Sequence, residues 1–110
     1  MKMIFITTEF EGFHKYPNAP EEVSFLRDFH RHIFKVKVSI EVFHNERDIE
    51  FILFKRYINS LISNGDMNCL SCEAISDILF EKINEKYPNR KITIEVSEDG
   101  ENGSWSEYNV

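Results

Sequence analysis

The chain has 110 residues, a formal charge of −6 and a 14% aromatic content dominated by Phe. That length suits one domain, residues 1–110, with a well-filled core, and is too short for two. The negative charge argues against a nucleic-acid surface, which needs a basic stripe, and two cysteines cannot build a disulfide framework, so a reducing cytoplasm is expected.

The opening Met1-Lys2-Met3-Ile4-Phe5-Ile6 stays apolar only until Thr7, Thr8 and Glu9, so neither a signal peptide nor a membrane span is expected. Met3 to Phe10 predicts a strand with Ile4, Ile6, Thr8 and Phe10 on one side. A loop marked by Pro17, Asn18 and Pro20 follows. From His30 to Val42 the alternation is at its clearest. Phe34, Val36, Val38, Ile40 and Val42 share one face, and Arg31, Lys35, Lys37, Ser39 and Glu41 the other, as in a half-buried antiparallel strand.

From Asp48 the period becomes helical, with Phe51, Phe54, Ile58 and Leu61 inward and Asn64-Gly65-Asp66 as the stop. A second helix is predicted from Ser71, its N-cap, to Tyr87, with Ile75, Ile78, Leu79 and Ile83 inward. Ile92, Ile94 and Val96 alternate as a third strand, and Trp105 to Val110 form a fourth. The order is β-β-α-α-β-β: an α+β domain with a four-stranded antiparallel sheet and two helices on one face.

His30 and His32 share the face of Phe34 and Val36, so both rings are expected to point to the buried side. If the first strand runs on in register from Phe10 through Gly12, His14 meets them at one end of the sheet. Three neutral imidazoles converging there describe a zinc site with an open fourth position. The competing reading is that H-x-H arises by chance and that these are hydrogen-bonded core or edge histidines. His44, among Asn45, Glu46 and Arg47, is expected in solvent.

In this order, the histidine before a variable loop, the H-x-H opening a long strand, and the following helices and strands resemble the 6-pyruvoyl-tetrahydropterin synthase and 6-carboxytetrahydropterin synthase family. Nearly the whole chain is covered. Ile49-Glu50-Phe51 is similar to the family's acidic-Phe pair, Ser71-Cys72-Glu73 to its Thr-x-Glu, and Glu98 to its glutamate at a strand end before the segment ending Ser104-Trp105-Ser106-Glu107-Tyr108. The resemblance implies a tunnelling fold (T-fold) assembled as a trimer or hexamer, with zinc on His14, His30 and His32. It also implies a pterin- or purine-like ligand bound near a subunit interface by Ser71, Glu73 and Glu98, and lyase chemistry of the pterin-synthase type. Without it, Glu98 reads as an exposed strand terminus before Asp99-Gly100.

The chain departs from the family where protons are moved. Leu26 stands where the family has its cysteine, four residues before the H-x-H. No Asp-His pair follows the first helix, only Asn64-Gly65-Asp66-Met67-Asn68. Asp66 and Cys69 are the remaining catalytic candidates. Cys69 and Cys72 form a C-x-x-C expected to be a pair of small core-lining thiols, with a redox pair or a nucleophilic Cys69 as alternatives. Two functions stay open: a zinc-dependent pterin-synthase-type enzyme with altered catalytic groups, or a non-catalytic protein that binds or sequesters a pterin- or nucleotide-derived ligand in the same pocket.

Overall fold

The computed structural model describes residues 1–62 and 66–110, the side chain of Asp66 excepted. Asn64-Gly65, expected to stop the first helix, and the carboxyl of Asp66 lie outside the described residues. In chain order the elements are β1 (Lys2–His14), a 3₁₀ helix (Glu21–Arg27), β2 (His30–Val42), α1 (Phe51–Leu61), β3 (Asp66–Asn68), α2 (Cys72–Lys86), β4 (Ile92–Glu98) and β5 (Asn102–Tyr108). The class is α+β, as expected.

The sheet runs β3-β1-β2-β4-β5, so it has five strands rather than four. The four expected strands pair antiparallel. The addition is β3, which pairs parallel with β1 at Phe13 and His14. Three residues are too few for an alternating pattern to be read, and the segment is held by backbone: Lys15 N–H donates to Asn68 O at 2.9 Å. The 3₁₀ helix is likewise an addition to the two expected helices. None of its residues is buried, so it has no apolar stripe to betray it.

β1 and β2 are the longest elements, 13 residues each. At about 3.4 Å per residue they account for most of the 51 Å long axis. The core is the helix-facing side of β2 and β4, where Phe34, Val38, Ile40, Ile92, Ile94 and Val96 are fully buried. Against it α1 lays Phe54 and Ile58, while Phe51, expected inward, is 56% exposed, because packing begins one turn into the helix. Glu50 caps α1 by accepting from Leu53 N–H at 2.7 Å.

In α2 the inward row is Cys72, Ile75, Ser76, Leu79 and Ile83. Ile78 is displaced to 40% exposure. The buried stripe is rotated toward Ser76, whose hydroxyl is satisfied by the Tyr108 hydroxyl at 2.7 Å, so a polar residue sits inward at little cost. Among the described residues no helix is long and apolar enough to cross a membrane.

Candidate metal centre

β1 does continue to His14, and the register places it directly opposite His30, with Gly12 opposite His32. Because side chains alternate along a strand, all three imidazoles rise on the helix-facing side at one end of the sheet. Their ring centroids lie 4.5, 5.0 and 5.3 Å apart. One ligand nitrogen from each falls within 4.8 Å of the others, so the group could hold a metal ion.

The orientation of each ring is set from outside the cluster. His14 Nδ1 lies 2.8 Å from Leu70 O, His30 Nδ1 lies 2.9 Å from Asp28 O, and His32 Nδ1 lies 2.8 Å from Asp99 Oδ2. Each of these oxygens can only accept, so Nδ1 carries a proton and the neutral ring has its lone pair on Nε2. This is the outer arrangement that metal-binding histidines use. Among the described residues, Nε2 of His14 and of His32 is buried with no hydrogen-bond partner. His14 is 7% exposed, so water does not readily make up the deficit. A buried acceptor left in this state costs about 1–3 kcal/mol. A divalent cation held by the three nitrogens would remove that cost, and three imidazoles are a donor set that fits zinc.

The floor beneath the rings is apolar. Phe34 stands edge-on to His14 at 5.2 Å and to His32 at 5.8 Å, and stacks on Phe10 at 5.2 Å. Gly12 makes room for this: a Cβ there would lie 2.9 Å from the Phe34 ring.

Asp99 is a site residue that sequence reasoning passed over. It opens the turn between β4 and β5 with φ +58°, next to Gly100 at +73°, and Glu101 N–H closes the turn on Glu98 O at 3.0 Å. Two successive left-handed residues are what Asp-Gly supplies at a tight hairpin, and that dipeptide was the available signal. The turn docks on β2, with Ile33 N–H donating to Asp99 Oδ1 at 2.9 Å while Oδ2 takes His32. The Ile33 N–H, and after it the His32 ring, hold the Asp99 carboxyl below the usual carboxylate range.

Glu98 points inward at the strand end, as its place in the alternation requires. Its Oε2 lies 3.1 Å from His32 Nε2 and its Oε1 lies 3.6 Å from His14 Nε2. It thus stands against the histidines as well as lining a cleft of about 690 Å³. That cleft is also lined by His14, His30, Leu26, Cys69, Ser71 and Glu73, and its volume suits a small-molecule ligand. A more open groove of about 610 Å³ on another part of the surface, near Lys35, Lys37 and Glu95, has no histidine or cysteine in its lining.

The other candidates divide. Ser71 is at the cleft, but its hydroxyl already caps α2 by accepting from Ala74 N–H at 3.1 Å. Glu73 is exposed in the first turn of the same helix. The expectation of two core-lining thiols holds for Cys72, which is buried, and not for Cys69, which is exposed in the turn before α2. Burial, with the nearby charges of Glu98 and Glu73, pushes the Cys72 thiol up to about 11, so at neutral pH it is a thiol and not a thiolate. Met67 is 9% exposed and packs in the core. His44 is exposed, as expected, with Nε2 3.7 Å from Asp48 Oδ1. In comparisons with known proteins, no family model and no curated protein matches the chain.

Proposed function

We propose that this protein is a zinc-centred, T-fold relative of the pterin synthases that binds a pterin- or purine-like ring in the cleft above His14, His30 and His32. The observation that carries the reading is three imidazoles with a ligand nitrogen each within 4.8 Å of the others, each ring locked through Nδ1 by a separate acceptor. Zinc would supply a Lewis acid at the cleft floor. The carboxylates of Glu73 and Glu98 would accept from the N–H edge of an amino-pyrimidine, and Leu26 would offer apolar contact to the ring.

Binding is favoured over synthase turnover by what surrounds the cleft. Leu26 occupies the wall where the resemblance calls for a thiol, and Met67 is in the core, so neither can move a proton. Ring assembly is supported by the strand edges. Among the described residues β5 ends the sheet and β1 has an outer neighbour only at Phe13 and His14, which leaves two long edges for a second copy to pair with. In this reading the protein is a cytoplasmic trimer or hexamer.

Protein purified without chelator should carry about one zinc per chain by elemental analysis, and the zinc should disappear in His30→Ala and His32→Ala. Calorimetry with reduced pterins and guanine should then show binding that chelation abolishes. Metal-free protein would refute the centre, and zinc protein that binds none of these rings would refute the ligand class. The second reading, a synthase-type lyase, rests on the retained metal histidines. Zinc-dependent turnover of dihydroneopterin triphosphate would establish it, with exposed Cys69 the first residue to change.

A further inference from the structure

We propose that, in the ligand-free protein, Glu98 is the fourth ligand of the metal, closing a His14–His30–His32–Glu98 set. This rests on the metal centre proposed above. It departs from the role the resemblance gives that carboxylate, which is to anchor the ligand ring alone.

Two distances place Glu98 against the cluster. Glu98 Oε2 is 3.1 Å from His32 Nε2, and Oε1 is 3.6 Å from His14 Nε2. Zinc bonds of about 2.0–2.1 Å put neighbouring ligands of a tetrahedron roughly 3.3–3.4 Å apart. The two separations bracket that edge. Neither is a hydrogen bond, since both nitrogens are left without a partner.

With Nδ1 of each ring donating elsewhere, each neutral ring keeps a lone pair on Nε2 and has a carboxylate oxygen within 3.6 Å of it. Electron-rich atoms at that separation repel unless positive charge lies between them. A single shared proton answers one ring and leaves the other as it was. A cation among the three nitrogens would answer both rings, and a carboxylate 3.1 and 3.6 Å from two of them would complete its shell.

The backbone fixes Glu98 in this place. It is the last residue of β4, paired with Phe34, and the next residue is pinned to β2 through both of its carboxylate oxygens. The Glu98 side chain is 25% exposed, shielded from bulk water yet reachable from the cleft. A ring that enters and takes up Glu98 must therefore draw it off the metal. Ligand affinity and metal coordination are then linked, with equal effect in both directions.

The test uses the protein stripped of metal and reloaded with Co²⁺, whose visible absorption reports ligand number and geometry. The parent should show the strong bands of a four-coordinate centre and no response to added acetate. Glu98→Ala should bind Co²⁺ at least about tenfold more weakly by chelator competition, with an altered spectrum that acetate restores. Glu98→Asp, which keeps a carboxylate on a shorter arm, should fall between the two. Circular dichroism shows whether the variants fold, and if Glu98→Ala does not, Glu98→Asp and the acetate response of the parent decide. An acetate-sensitive parent, or variants with unchanged spectrum and affinity, would overturn the fourth ligand and leave the three-histidine centre standing. A parent that takes up no Co²⁺ would overturn both.

Discussion

A single carboxylate shows how much of the site depends on residues that never face the ligand. Asp99 holds Ile33 N–H with one oxygen and His32 Nδ1 with the other, so it joins the strand register to the ring orientation. Asp99→Asn keeps the size and can keep one of these contacts, but loses the charge that favours Nδ1–H on His32. Metal affinity should fall by about 10–100-fold, the usual range for such outer partners, with the far-ultraviolet dichroism unchanged. Chelator competition on the two proteins measures it, and equal affinities would make Asp99 a turn residue only. At this scale the sequence was partly legible. Parity gave the face of His30 and His32, because alternation is a local rule, whereas His14 depended on the first strand running on and Glu98 on the family resemblance. Asp99, and the carbonyls of Leu70 and Asp28 that orient the other two rings, could not be placed, because their roles follow from contacts across the fold.

Among the elements, β1 carries a conflict between strand propensity and packing at Gly12. Glycine weakens a strand interior, yet here the missing side chain is what admits the Phe34 ring. Phe34 is fully buried between Phe10 and the imidazoles, so it has nowhere to yield. Gly12→Ala should destabilise the fold by about 1–3 kcal/mol, the range for overpacking, and should disturb His14 and His32 through the ring they share. Denaturant unfolding of metal-free protein isolates the packing cost, and an unchanged midpoint would show that the ring can move aside. Long elements with many alternating positions were easy to read in advance: β2 begins and ends where its pattern does. β3 and the 3₁₀ helix were missed because three residues, or a turn with nothing buried, leave no period to count. The first turn of α1 misled for the opposite reason. Phe51, Ile52 and Leu53 are apolar and all exposed, so hydrophobicity there marks a surface rather than the core.

Across the whole molecule, a separate anchor lies far along the chain from the metal ligands. Asp48 receives Arg90 Nη1 at 2.8 Å and Phe43 N–H at 2.9 Å, tying the segment after β2 to the approach to β4. The Arg90 hydrogen bond, then that of the Phe43 N–H, hold the Asp48 carboxyl below its ordinary value near 3.8. In the unfolded chain those partners are gone and the carboxyl takes up its proton at higher pH. The contribution of Asp48 is therefore complete above about pH 4–5 and is lost as pH falls through the lower folded value. Melting temperature measured from pH 6 to pH 2.5 on metal-free protein should drop more steeply in the parent than in Asp48→Asn. Parallel curves would mean the pair contributes nothing net. Assembly belongs to this scale as well. The edges of β1 and β5, open among the described residues, with Phe5 and Trp105 exposed on the face turned from the helices, fit a closed ring of copies. Light scattering at micromolar concentration should give a trimer or hexamer, and a stable monomer would count against an interfacial ligand site.

The β1–β2 ribbon is joined at the histidine end by residues 15–29, a span of 15 residues where a tight hairpin would use two. Such a mouth is the natural place for the ribbon to fray. An ion shared by His14 and His30 would act there as a removable staple. Because it binds the folded arrangement and is released on unfolding, it would stabilise by mass action, by about 2.7 kcal/mol at a free concentration a hundred times its Kd. The effect would also be uneven. Hydrogen exchange with and without chelator should show Lys15 and Tyr16, whose amides bond to Asn68 O and Leu26 O, losing protection first on removal of the ion. Ile94 and Val96, in the middle of the sheet and fully buried, should keep theirs. Protection lost evenly along the ribbon would mean that the ion supports the fold as a whole and that the mouth has no looseness of its own.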